Sequence, residues 1–339
     1  GAFMFIPAAN RQEFGFFCVS LYVLTFGLAF LETTANPYIL SLGSKETSTR
    51  RLNLAQAFNP IGSLMGMFVA SRIVLAKLES DTAQVREIGF SNLDEATKLS
   101  IRQHDLDIIR NPYVALGCVV ILVFIIIAIF VKNQDKDNKE HTNSKGTLKR
   151  LFSNKIYREG VVTQLFYVAA QIMTWTFIIQ YADRLGIDKA TAQMYNIIAM
   201  GMFLCGRFIS TFLMKYVNSR KLLMYFAIGA MAASAGTILI DGILGLYCLM
   251  AISIFMSLMF PTIYGIALEN VSQEDSTLGA AFLVMAIVGG ALMPPLQGMI
   301  IDLGTVASLP AVNFSFILPF ICFVVIFIYG WRTSRDIMN

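Results

Sequence analysis

The sequence has 339 residues, 56% of them hydrophobic and only 14% charged, with a mean hydropathy of +0.64. Soluble domains carry about 25% charged residues, so this composition excludes a soluble enzyme, a nucleic-acid binder and a disordered scaffold, and makes lipid the solvent. The net charge of +4 is too small to argue for a polyanionic partner.

In chain order, residues 1–8, GAFMFIPA, are apolar but too short to span a bilayer. With no basic stretch before them they do not read as a signal peptide. The expectation is the tail of a helix that starts upstream, and hence a fragment of a longer protein. Nine apolar runs long enough to span then follow, at 14–40, 52–76, 111–131, 158–181, 192–214, 221–240, 243–268, 278–301 and 312–331. Glu32 is the one acidic residue deep inside such a run. An intramembrane carboxylate is costly to ionise, which marks it as part of an ion or substrate path and suits it to take up and release a proton. Asn36 lies one turn on, on the same face, and Pro37 follows.

The second span opens with Asn53, Gln56 and Asn59. Amides offer paired donors and an acceptor, which suits the hydroxyls of an uncharged polar solute. Asn53, nearest the preceding loop, reads better as interhelical glue. The polar stretch 78–110 has apolar spacing that allows short helices on the outer surface. Segment 132–157 is polar and of mixed charge, and reads as a flexible linker between two membrane bundles. In the span after it, Gln164, Tyr167, Gln171 and Trp175 fall within an arc of about 80° at 100° per residue. Two amides and two aromatics on one stripe would line an aqueous path, with a ring to stack on the C–H face of a sugar. Tyr195 and Tyr264 are weaker candidates for the same path. Arg207 lies inside a span near its basic end and is expected to snorkel; with the KYVNSRK that follows, it reads as an anchor to anionic headgroups.

Two stretches echo one another: LETTANPYILSLGSKETSTRRLNLAQAFNPIGS before the linker and MFPTIYGIALENVSQEDSTLGAAFLVMAIVGGALMPP near the end. Weak echoes half a molecule apart are the sequence sign of repeats in transporters. Lys and Arg are richer in the alternate connections that include 132–157 and the tail, which puts both on the cytoplasmic side. The cysteines at 18, 118, 205, 248 and 322 sit singly in apolar runs and read as buried small hydrophobes. His104 and His141 fall in polar stretches and offer no metal site. GxxxxGK[ST], GxSxG and HExxH are absent, which removes nucleotide-driven and hydrolytic readings.

The stretches LETTANPY, RLNLAQAFNPIGS, QLFYVAAQIMTW, GRF and FMSLMFPTIYG resemble the fucose permease family of the major facilitator superfamily, and the likeness runs along the whole chain. It implies an all-α integral membrane protein, a two-bundle transporter of twelve helices with about nine complete here. Residues 1–131 would be a partial N-terminal bundle (the end of helix 3 and helices 4–6), 132–157 a cytoplasmic linker, and 158–339 the C-terminal bundle of helices 7–12. It further implies sugar–proton symport by alternating access. The glutamate of the family's LETxANP motif is a functional carboxylate of the central cavity and matches Glu32; the NLAQxFN amides belong to the sugar cavity and match Gln56 and Asn59. Family members also carry an important Asp on the first helix, which lies upstream of this sequence, so the chain as written is not expected to transport by itself.

The combined expectation is symport of a neutral monosaccharide, L-fucose or a related hexose, with the proton on Glu32 and the sugar among Asn36, Gln56, Asn59, Gln164, Tyr167, Gln171 and Trp175. No cofactor, metal or nucleic acid is called for. The partners are sugar, protons and the lipid bilayer, and the protein is expected as a monomer in the inner (plasma) membrane. The alternative is a sugar uniporter or another small-solute carrier of the same fold without proton coupling, told apart by dissipating the proton gradient. A membrane sensor would need a signalling domain and an enzyme would need clustered catalytic groups; neither is evident in the sequence.

Overall fold

The structure, a computed structural model, describes residues 1–74, 77–81, 92–130, 144–187, 189–306 and 309–335. These are helical apart from short turns and one ribbon, β1 (Thr305–Val306) antiparallel to β2 (Leu309–Pro310). Among the described residues, eight helical stretches are long and apolar enough to cross a membrane: Phe14–Ser41, Glu95–Ile129, Lys155–Arg184, Thr191–Leu213, Ser219–Leu239, Ile243–Leu268, Gln273–Ile301 and Ala311–Arg335. They coincide with eight of the nine apolar runs. The remaining run, 52–76, begins earlier, as α3 (Ser48–Gln56), and breaks at Ala57. It resumes as α4 (Phe58–Val69) and ends in a π-helical turn, Ala70–Val74.

By its packing the chain divides into two compact units, Gly1–Glu32 with Met65–His141, and Thr33–Leu64 with Thr142–Asn339. In the first, α1 (Phe5–Arg11) lies against α5 (Glu95–Phe130), with the rings of Phe5 and Tyr113 stacked at 3.8 Å between centroids. Gln12 takes a left-handed conformation (φ 56°) that ends α1, and its amide donates to Gln103 at 3.1 Å. The 28-residue α2 (Phe14–Ser41) starts here. Asp94 caps α5: it accepts from the Thr97 hydroxyl at 2.6 Å and from the Thr97 backbone N–H at 3.1 Å, and these bonds hold its carboxyl below the ordinary range. From Leu116 to Ile129 this helix turns nearly every large apolar side chain outward, a surface only hydrocarbon can solvate. The sequence allowed several short helices in 78–110; residues 82–91 lie outside those described, and from Glu95 the helix runs unbroken through Pro112.

The second unit is built around α7 (Lys155–Thr176), continued after a break at Phe177 by α8 (Ile178–Arg184). The other helices are α6 (Ser144–Ser153), α9 (Lys189–Leu213), α10 (Ser219–Leu239), α11 (Ile243–Met256), α12 (Met259–Leu268), α13 (Gln273–Met285), α14 (Gly289–Ile301), α15 (Ala311–Ser315) and α16 (Ile317–Arg335). Helices α12, α14 and α16 pack on α7, α10 packs on α11 and α16, and α3 packs on α9 and α12. Small residues set the close approaches: a Cβ on Gly160 would sit 2.6 Å from the Cβ of Ala267. Tyr167, Tyr181, Phe316, Phe323, Leu223 and Leu246 fill the interior.

Proline at position i+4 accounts for two of the helix breaks. Its ring displaces the helical N–H that would bond the carbonyl four residues earlier. Pro60 frees the carbonyl of Gln56, the last residue of α3, and Pro261 frees that of Ser257, just past α11.

Polar ties close both ends of this unit. Arg150 holds Asp275 through two bonds, at 2.6 and 2.8 Å, and Arg220 donates to Glu269 at 2.5 Å. Arg184 meets Asp241 at 3.0 Å and also donates to Asn313, whose amide donates to the Tyr181 hydroxyl.

Three sequence readings change. Arg207 does not snorkel and Arg220 does not reach for headgroups: both are buried, because carbonyls or a carboxylate inside the bundle bind them. Cys18, Cys118 and Cys205 are exposed on helix flanks rather than buried; all five cysteines are free. The expected flexible segment 132–157 lies outside the described residues up to 143. From Ser144 it is helix, because buried Leu151 and the Phe152 ring, edge-on to Tyr157 and Phe282, give α6 an apolar face to dock.

Candidate functional site

The amides before the linker divide at the helix break. Glu32, one turn before Asn36 on α2, is half-buried. Asn36 is buried; its Oδ1 accepts from Gln56 Nε2 at 2.9 Å, and its Nδ2 is buried with no hydrogen-bond partner among the described residues. Gln56 and Asn59 are three apart in sequence, but Ala57 separates the helices that carry them. Gln56 ends α3 and pairs with Asn36; Asn59 sits in the first turn of α4 and is exposed. Asn53 behaves as interhelical glue, wholly buried and donating to Thr262 Oγ1 at 3.2 Å on α12.

The stripe on α7 is graded rather than uniformly open. Gln164 and Tyr167 are wholly buried, whereas Gln171 and Trp175 are half-buried. Neither the nitrogen nor the oxygen of the Gln164 amide has a hydrogen-bond partner among the described residues. A buried polar group left so costs about 1–3 kcal/mol. The Tyr167 hydroxyl is committed: it donates to the Met256 carbonyl at 3.1 Å, at the end of α11. Trp175 Nε1 donates to Ser253 Oγ at 3.2 Å, and its ring meets Phe203 edge-on at 5.1 Å. Tyr264, buried on α12, stacks towards Phe260.

Arg207 was missed as part of this region. It is 3% exposed, lies over the Phe203 ring at 4.7 Å, and donates to the carbonyls of Ser257 at 2.6 Å and Gln56 at 2.8 Å. The available signal was the pair of prolines four residues after those carbonyls. The Asn36–Gln56 pair offers amide donors and acceptors, and Gln164, Gln171 and Trp175 on α7 offer two further amides and an indole, chemistry of the kind that suits a neutral, hydroxyl-rich solute.

The chain is similar along most of its length to known membrane transporters. The family model described as Major Facilitator Superfamily matches residues 1–294. The chain is 62% identical over 337 residues to the L-fucose-proton symporter of Haemophilus influenzae, covering 99% of this chain and 78% of that protein. It is 29% identical to the glucose/galactose transporter of Brucella abortus, covering 99% of this chain and 76% of that protein. The crystal structure of the E. coli fucose:proton symporter FucP superposes with a TM-score of 0.88 at 29% identity, covering 98% of this chain and 80% of that one. The chain belongs to the Major Facilitator Superfamily, within its fucose permease family, and is a multi-pass membrane transporter and not an enzyme.

Proposed function

We propose that the protein carries a neutral monosaccharide, L-fucose or a closely related hexose, across the plasma membrane together with a proton. The observation that carries this reading is the amide pair formed by buried Asn36, one turn beyond Glu32 on α2, and half-buried Gln56 at the end of α3. Vicinal hydroxyls match such a pair both as donors and as acceptors. Glu32 takes the proton, and Asn36, Gln56, Asn59, Gln164, Gln171 and Trp175 form the sugar path, with Tyr167 behind them. Segments 1–131 and 158–339 act as the bundles that rock about the sugar, with the linker and the C-terminus on the cytoplasmic side. The protein works as a monomer. The relatives' names, one for fucose and one for glucose and galactose, support a hexose-shaped solute.

The experiment is Glu32→Gln in the whole transporter, reconstituted into vesicles with an imposed proton gradient. One charge moving through 100 mV supplies about 2.3 kcal/mol, equivalent to about 40-fold accumulation of sugar per proton. The variant is expected to lose accumulation while still exchanging labelled for unlabelled sugar. Accumulation by the variant equal to that of the parent would remove Glu32 from the coupling.

A further inference from the structure

We infer that Arg207 is a positioning residue that locks the sugar-binding end of α3 to the broken helix α11–α12, and that this lock must open in each transport cycle. The inference rests on the reading of Gln56 as a sugar amide.

A buried guanidinium needs its charge answered. Among the described residues Arg207 has no carboxylate partner; it bonds two backbone carbonyls, Gln56 O and Ser257 O. These are the two carbonyls that Pro60 and Pro261 deprive of their helical N–H. Both stand at the C-terminal ends of helices, α3 and α11, where the peptide dipoles place partial negative charge. One cation thus answers two helix ends that lie 201 positions apart in sequence, the Gln56 contact alone reaching across 151. The cradle is shaped for it. A Cβ on Gly206 would lie 2.8 Å from the carbonyl of Ile254, so glycine is what lets α9 reach the break. Below the guanidinium the Phe203 ring supplies a cation–π face.

The lock acts on the site directly. The residue whose carbonyl Arg207 holds is the one whose side chain donates to Asn36, so releasing the carbonyl frees the amide pair as well. A second contact toward the loop end of α3 belongs to the same closure: Asn53 bonds Thr262, and Thr49 fills the space where a side chain on Gly265 would stand. Leu52, between them, is sealed from solvent. Backbone carbonyls cannot change charge, so this lock opens by movement alone and leaves proton traffic to Glu32.

The test uses the whole transporter, with its other cysteines replaced and Leu52→Cys as reporter, labelled by a membrane-impermeant maleimide from the α3 loop side. Arg207→Gln is expected to raise the labelling rate and to lower maximal uptake of labelled fucose, each by about tenfold, which corresponds to about 1.4 kcal/mol in the open–closed balance, with KM changed by less than about threefold. Arg207→Lys should fall between it and the parent, because an ammonium keeps the charge without the fork. Phe203→Leu should shift labelling in the same direction. Parental labelling and uptake in both Arg207→Lys and Phe203→Leu would overturn the inference even if Arg207→Gln fails to fold. Unchanged labelling with a raised KM would also overturn it, in favour of direct sugar contact. Uptake by the parent that ignores the proton gradient would defeat the symport reading and leave the labelling comparison intact.

Discussion

The Gln164 amide is buried in full view of α7's neighbours and bonds none of them. Two roles make opposite demands on it. As packing, it is a defect, and Gln164→Leu should stabilise the detergent-solubilised protein by about 1 kcal/mol. As a sugar ligand, the same change should weaken sugar binding by about tenfold, because the site loses both hydrogen bonds. We expect both effects together, read by thermal unfolding and by sugar-binding isotherms; stabilisation with unaltered affinity would take Gln164 out of the site. Residues such as Asn36, Gln56 and Gln164 were conspicuous in the sequence as candidates, because a polar amide in an apolar run has few reasons to be there. Arg207 was not. Its depth along the helix is compatible with a side chain bending to the interface, and only a partner 151 positions away shows that it turns inward. Asn59, joined to Gln56 by spacing, is carried by the next helix, α4, and is exposed.

Helices give the same lesson with a different cause. Hydropathy finds the spans because lipid demands about 20 apolar residues in a row, but says little about where a helix pauses. The pauses at Gln56 and Ser257 were written in the sequence as prolines four positions downstream. Close packing was less legible, since a glycine in a membrane helix has many uses. Gly160 is a case where the structure decides: α7 and α12 approach so nearly there that Gly160→Ala places a methyl group 2.6 Å from the Cβ of Ala267. The helices must part, and a loss of about 1–3 kcal/mol of stability is expected, measurable as a lower unfolding midpoint in detergent. At the Asp241 end, Arg184 joins α8 to α15 through Asn313, which is 1% exposed. Arg184→Gln leaves that amide oxygen short of its charged donor and should cost about 1–2 kcal/mol. The Asp241 contact adds little, because it faces solvent.

For the molecule as a whole, low charge and an excess of apolar surface dictated a lipid solvent before any helix was placed, and the exposed Leu116–Ile129 face of α5 shows that demand in atoms. The part of the linker that the structure describes corrects an expectation drawn from polarity alone. Residues 144–153 are helix, docked by Leu151 and by the paired bonds from Arg150 to Asp275, so a charged segment can still carry one apolar face. Arg150→Gln should speed amide hydrogen exchange in 144–153 severalfold while leaving exchange in α7 unchanged. Equal exchange in both proteins would show that Leu151 alone holds the helix. The Arg207 contact, finally, sets a limit on how this transporter can be altered. Because its counter-groups belong to the main chain, no charge swap on a partner side chain can compensate for losing the arginine, and the tie persists whatever residue occupies position 56 or 257. From the acceptor side it is weakened by backbone chemistry: an ester in place of the peptide link between Gln56 and Ala57 makes that oxygen a poorer acceptor and leaves every side chain untouched.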